Sequence, residues 1–145
     1  MKKFLKVAGL TIVILLVVFI LMQLLPYGHN HTNPPVGADP KWDSPRTKEL
    51  AQKACFDCHS NETVWPWYSN IAPASWLVYS DVMEGRSHLN FSAWHKSPRM
   101  ANEATQIVLE GEMPPIQYLL IHKDAALTST EQEALAKGLA ATLGQ

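Results

Sequence analysis

The apolar residues of the chain are concentrated near its N-terminus. Residues 7–25 form a run of 19 that is interrupted only by Gly9, Thr11 and Gln23. At a rise of about 1.5 Å per residue, this run would make a helix of roughly 28 Å, close to the hydrocarbon thickness of a bilayer. We therefore expect a cytoplasmic N-terminus and one transmembrane anchor within residues 1–26.

A cleaved signal peptide is the competing interpretation of this run. Such peptides have an apolar stretch of about 7 to 15 residues that ends in a small-residue cleavage site. Here the run is longer, and it leads into the sequence QLLPYGHN. We therefore favour an anchor that stays attached to the protein.

The segment after the anchor has little apolar content. Residues 27–41 contain three prolines and two glycines. This composition is typical of an extended, semi-rigid linker. We expect residues 27–41 to form a tether.

Beyond the tether the apolar residues follow a helical spacing. Ser97-Pro98 predicts a helix start, and Thr128 forms a capping box with Glu131 at the start of the last helix. Gly85 and Gly111 each follow a segment with helical spacing and are expected to end it. Because no segment alternates in the manner of a strand, we expect residues 42–145 to form one all-α domain.

Charge is distributed asymmetrically about the apolar run. Lys2, Lys3 and Lys6 precede it, and no charged residue follows until Asp39. Because positive residues remain on the cytoplasmic side of membrane helices, everything after the anchor is expected outside the cytoplasm. This exported part holds nine of the twelve basic residues and all thirteen acidic ones, so it has no positive surface for nucleic acid.

Both cysteines lie in the sequence ACFDCHS, with His59 directly after Cys58. A disulfide across two residues closes a very short loop and stabilises little. A thioredoxin-like pair needs a helix that starts at the cysteines, and zinc usually needs a second pair. Covalent haem attachment also accounts for His59, because Cys55 and Cys58 would each bind a vinyl group and His59 would bind the iron. The motif is short enough to occur by chance, so the four interpretations remain open at this point.

An iron that carries electrons usually has a second axial ligand. Met113, in LEGEMPPIQ, is the main candidate, because a thioether favours ferrous iron and the two following prolines restrict its loop. His88 is an alternative distal ligand, and His95 is a weaker one. Ordinary core filling is the other role open to Met113.

Four segments in this order resemble the bacterial haem-binding domain family, whose members are small, membrane-anchored, single-haem proteins related to c-type cytochromes. The segments are WDSP, CFDCHSNETVWPWYSNIAPASW, HLNFSAW and GEMPP, and the resemblance covers about residues 40–143. It implies a cytochrome c-like helical haem domain. It also implies that Cys55 and Cys58 carry the haem, that His59 is the proximal iron ligand and that Met113 is the distal one.

Compared with ordinary small cytochromes c, the chain has an aromatic insertion directly after the attachment motif. We expect its large side chains to pack on the apolar face of the haem, where indole and phenol groups can also donate to the propionates. Two alternatives are a core that is independent of haem and a surface platform for a ligand. The residues concerned are Trp65, Trp67, Tyr68 and Trp76.

The sequence thus predicts a single-pass protein of the bacterial inner membrane whose C-terminal domain faces the periplasm. We expect it to be a monohaem c-type cytochrome with one covalently attached haem c and its iron. It would pass single electrons between redox proteins, in particular membrane-bound ones, and would not be an enzyme. The alternatives are a haem-based redox or gas sensor and an accessory haem subunit of a respiratory membrane complex.

Overall fold

The structure is a computed structural model, and it describes residues 1–96 and 101–143. These residues form helices and loops without a strand, so the predicted all-α class is confirmed. The helix start predicted at Ser97-Pro98 lies outside the described residues. The α-helices are α1 (Lys2–Gln23), α2 (Pro45–Ala54), α3 (Phe56–His59), α4 (Ala74–His88), α5 (Ala101–Leu109), α6 (Ile116–Leu119) and α7 (Ser129–Leu143), and shorter 3₁₀ turns span Trp67–Asn70, Phe91–Lys96 and Lys123–Ala125.

Helix α1 is the long apolar helix that the sequence predicts at the N-terminus. Among the described residues it is the one helix that is long and apolar enough to cross a membrane, judged by length and composition. None of its residues is buried by the described parts of the chain. Its apolar side chains therefore remain available to lipid.

The chain folds into two compact units, with a boundary inside the segment expected to be a tether. The α1 unit consists of Met1–His31 with Trp65–Ser80. The second unit, here called the cysteine unit, consists of Thr32–Val64 with the described residues from Asp81 onward.

Part of the expected tether is bound within the cysteine unit. The N–H of Gly37 donates to the carbonyl of Ser92 at 2.8 Å, and the N–H of Trp94 donates to that of Ala38 at 3.0 Å. The side-chain amide of Asn61 donates to the carbonyl of Pro35 at 2.9 Å. These bonds fix residues 35–38. They form because backbone outside helices and strands has polar groups left to bond partners that are distant in sequence.

The core of the cysteine unit lies between α2, α5 and α7. Helix α7 packs on both α5 and α2, and α3 contributes Phe56 from the side. The ring of Phe56 stacks on that of Phe91 with centroids 5.5 Å apart. The buried residues of this core are Leu50, Ala51, Phe56, Leu89, Phe91, Val108, Leu135, Ala136 and Leu139.

The helix-end signals have mixed outcomes. The capping box of α7 is confirmed, since the N–H of Thr128 donates to Glu131 and the N–H of Glu131 to the Thr128 hydroxyl, at 3.0 and 3.2 Å. The stop predicted at Gly85 is wrong, because α4 continues to His88. A glycine is needed there for packing, since a Cβ at this position would lie 2.6 Å from the carbonyl oxygen of Cys58.

Close packing of α2 on α7 depends on Gly138. A Cβ at this position would overlap the side chain of Thr47 on α2. We expect Gly138→Ala to lower the free energy of unfolding by about 1–3 kcal/mol through overpacking, although alanine in a helix normally stabilises by about 0.5–1 kcal/mol. Urea unfolding followed by circular dichroism measures this difference.

The matched control is Gly9→Ala, the same substitution at a helical position with no neighbour within 4 Å. It should leave the unfolding of the cysteine unit unchanged. A stabilising effect of Gly138→Ala would show that the two helices can separate at little cost.

Candidate functional site

The cysteine unit contains a cavity of about 410 Å³ with a mainly apolar lining. This volume lies within the range of roughly 300–1,000 Å³ that is usual for cofactor sites. The predicted ligand residues Cys55, Cys58, His59, His88 and Met113 all line it. The fold therefore brings together residues that lie in three separate segments of the chain.

The short helix α3 sets the direction of the motif side chains. Cys55 precedes it, and Cys58 and His59 follow at three- and four-residue spacing, so all three lie on one helical face. The N–H of His59 donates to the carbonyl of Cys55 at 2.8 Å and closes this turn. Phe56 points the other way and is buried in the core.

Both cysteines are half-buried, and their environment disfavours the thiolate. Burial raises the pKa of Cys55 to about 12, and burial together with Asp81 and Asp57 raises the pKa of Cys58 to about 12. A thioredoxin-like pair needs a low thiol pKa, which this cavity does not provide. In the described parts of the chain no group of three or more His, Cys, Asp and Glu side chains is placed to hold a metal ion directly.

The orientation of His59 is fixed by its backbone partner. Its Nδ1 lies 3.0 Å from the carbonyl oxygen of Leu89. Because a carbonyl can only accept, Nδ1 carries the proton and the lone pair is left on Nε2. Burial lowers the pKa of His59 and favours the neutral ring, which is the form that binds a metal.

Helix α4 forms one wall of the cavity through Asp81, Glu84, Gly85 and His88. The side chain of His88 is exposed, and its Nε2 lies 3.6 Å from a carboxylate oxygen of Glu84. His88 is therefore on the rim of the cavity. The side chain of His95 lies outside the described residues.

Met113 lies on the loop between α5 and α6. It lines the cavity, and 39% of its surface is exposed. Gln132 of α7 fixes the start of this loop by donating to the carbonyls of Val108 and Leu109 at 2.5 and 3.3 Å. The loop is thus tied to α7 on the side that precedes Met113.

A second bond ties the other side of the Met113 loop to the cysteine motif. The hydroxyl of Tyr118 donates to the carboxylate of Asp57 at 2.6 Å, and the Tyr118 ring stacks on His122 with centroids 4.2 Å apart. Burial raises the pKa of Tyr118, so its hydroxyl remains a donor. Sequence reasoning missed the bond between Tyr118 and Asp57. The four-residue spacing of Tyr118 and His122 is a local signal only for the stacking of their rings.

Arg86 fixes the loop that follows His59. Its guanidinium donates to the carbonyl of Ser60 at 2.8 Å, to Asn33 at 2.7 Å and to the hydroxyl of Thr63 at 2.9 Å. Burial lowers the pKa of Arg86. Sequence reasoning also missed the role of Arg86 in holding this loop, because its partners are distant in the chain.

The aromatic insertion lies in the α1 unit. The residues predicted to pack on haem do not line the cavity of the cysteine unit. They are Trp65, Trp67, Tyr68 and Trp76. Their contact with a cofactor stays a prediction. Within the α1 unit, the ring of His31 stacks on that of Trp65 with centroids 4.5 Å apart.

The bond between Asp57 and Tyr118 can be tested by a double-mutant cycle. Because hydrogen bonds to a charged group contribute about 1.5–3 kcal/mol, and this one is half-buried, we expect a coupling of about 1–2 kcal/mol. Asp57→Asn, Tyr118→Phe and the double variant are compared with the parent by urea unfolding. Additive effects of the two substitutions would show that the bond does not connect the two loops.

Comparison with known proteins adds one match. A family model described as a haem-binding domain matches residues 17–141, a range that includes every residue of the cavity. A search of curated proteins gave no match to the chain, and neither did a search of solved structures.

Proposed function

The chain belongs to the haem-binding domain family, and from this premise we propose that it is a monohaem c-type cytochrome that passes single electrons between protein partners. The observation that carries this proposal is the convergence of Cys55, Cys58, His59 and Met113 on one apolar cavity. Two thiols, an imidazole and a thioether form the donor set that covalent attachment and two axial bonds require.

The residues fit one haem. Cys55 and Cys58 would each add their thiol across a vinyl group and form a thioether. His59 would bind the iron through Nε2, since Leu89 holds the proton on Nδ1. Met113 would be the second iron ligand, from a loop that Gln132 and Tyr118 fix at its two ends.

The haem supplies the redox chemistry, namely the exchange of one electron at iron. The side chains bind it, orient it and exclude water, and none transfers a proton to a substrate, so we propose that the protein is not an enzyme. The apolar lining and a methionine ligand favour the ferrous state. Asp81 and Glu84 on the cavity wall oppose this effect through their negative charge.

We further propose that α1 anchors the protein in the bacterial inner membrane with the cysteine unit in the periplasm. The apolar length of α1 supports the anchor. The lysines before it support the orientation. Covalent haem attachment takes place on the periplasmic side of that membrane, so the two proposals are consistent. The proposed partners are membrane-bound redox proteins.

Covalent attachment predicts that the cysteines are required for haem to remain on the denatured chain. We expect the parent, produced in cells equipped for cytochrome maturation, to stain for haem on a denaturing gel. Cys55→Ala combined with Cys58→Ala should abolish the stain, and intact mass should fall by one haem beyond the change at the two side chains. A parent whose mass equals that of the bare polypeptide would contradict the proposal.

Distal ligation predicts a specific spectral change in Met113→Ala. The attached haem should remain, while the methionine-to-iron charge-transfer band of the ferric protein should disappear. The matched control is Met83→Ala, at an exposed methionine on α4 that does not line the cavity; His88→Ala tests the alternative ligand. Retention of the band in Met113→Ala would remove Met113 from the proposal.

A haem-based gas sensor is the second candidate, because Met113 is partly exposed and could release the iron. The carrier is expected to keep its reduced spectrum when carbon monoxide is added, since both axial positions are filled. A spectrum that shifts at low carbon monoxide concentration would favour the sensor instead.

A further inference from the structure

Charge is almost absent from the α1 unit. Its charged side chains are Lys2, Lys3 and Lys6, and residues 7–31 and 65–80 have none. The sequence of the cysteine unit, in contrast, contains all thirteen acidic residues and nine basic ones. Charged groups are costly to remove from water. Because residues 65–80 have none, they can leave water at lower cost, as α1 can.

The α1 unit also collects most of the Trp and Tyr residues. It contains three of the five tryptophans and three of the four tyrosines. Trp67 is 76% exposed, and Ile71 and Leu77 are exposed as well. Trp and Tyr are enriched where membrane helices meet the headgroups, because their rings are apolar and their N–H or O–H groups can still reach water.

The end of α1 is bonded to the middle of this segment. The side-chain amide of Gln23 donates to the carbonyl of Ala72 at 3.0 Å, and the N–H of Ala72 donates to the Gln23 oxygen at 2.9 Å. Both backbone polar groups of the fully buried Ala72 are thus paired, as they would need to be beside hydrocarbon. Ile71 directly precedes Ala72 and is exposed, so it lies close to the end of α1.

The chain that leaves α1 is packed on the same segment. Gly28 has a φ of 82°, and a Cβ there would lie 2.7 Å from the carbonyl oxygen of Ser75. His31 bonds to the carbonyl of Ser69 at 3.0 Å and stacks on Trp65. Residues 65–77 are therefore held at the end of the apolar helix from two sides, and cannot move away from it without breaking these contacts.

We propose that residues 65–77 are a membrane-interface element. Trp67, Ile71 and Leu77 insert between the headgroups and acyl chains of the leaflet where α1 ends. The occupant of this uncharged surface is phospholipid, and binding does not need anionic headgroups because the segment has no cation to attract them. The inference rests on the membrane anchoring proposed above and does not depend on haem.

Lipid contact can be measured with the full-length holoprotein in phosphatidylcholine nanodiscs, at one chain per disc. The discs contain a phosphatidylcholine with a diazirine near the headgroup end of one acyl chain. After irradiation, mass spectrometry should find lipid on peptides that contain residues 64–77 and on α1. Peptides from α6 should remain unlabelled, although Leu120 beside that helix is 70% exposed.

Charged substitutions provide the matched pair. Trp67→Glu should reduce labelling of residues 64–77 by about tenfold, because a carboxylate is unfavourable at the edge of the hydrocarbon. Leu120→Glu should change neither labelling nor the haem spectrum.

Label on α1 with none on residues 64–77, or equal label on those residues and α6, would overturn the inference and leave the anchor intact. Absence of label on α1 would overturn the anchor and the inference together. Labelling of residues 64–77 in a protein that holds no haem would support the inference while contradicting the proposed cytochrome.

Discussion

The candidate site depends on the burial of Phe56 within a single helical turn. Removing this ring from water contributes about 1.5–3 kcal/mol, and its stacking on Phe91 fixes the rotation of α3. That rotation places Cys55, Cys58 and His59 toward the cavity. A turn as short as α3 would not be stable alone, so the position of the motif is determined by the core beneath it.

Polar contacts fix the parts of the site that the core does not hold, namely the His59 ring and two loops. Leu89 holds the tautomer of His59, Arg86 orders the loop behind it, and Tyr118 connects the motif to the loop of Met113. Each of these bonds joins segments that are distant in sequence. Together they hold the cysteine motif and the Met113 loop in place, which reduces the rearrangement that binding of a cofactor would otherwise require.

Charge separates the two units of the chain. The α1 unit has a long uncharged stretch and an aromatic segment bonded to the end of its apolar helix, whereas the cysteine unit has a charged surface. This partition is the basis of the proposal that the α1 unit contacts lipid while the cysteine unit faces water. The proposed membrane contact would give the aromatic insertion a role that does not involve the cavity.

The sequence by itself determined features that depend on neighbours within one or two helical turns. These include the apolar helix α1 and the capping box at Thr128 and Glu131, because helix geometry fixes such spacings. Only the tertiary structure decided that Gly85 lies inside α4 against Cys58, that Asp57 pairs with Tyr118 and that the aromatic insertion joins α1. These outcomes depend on which distant segments pack together, and no local pattern encodes the distance between them.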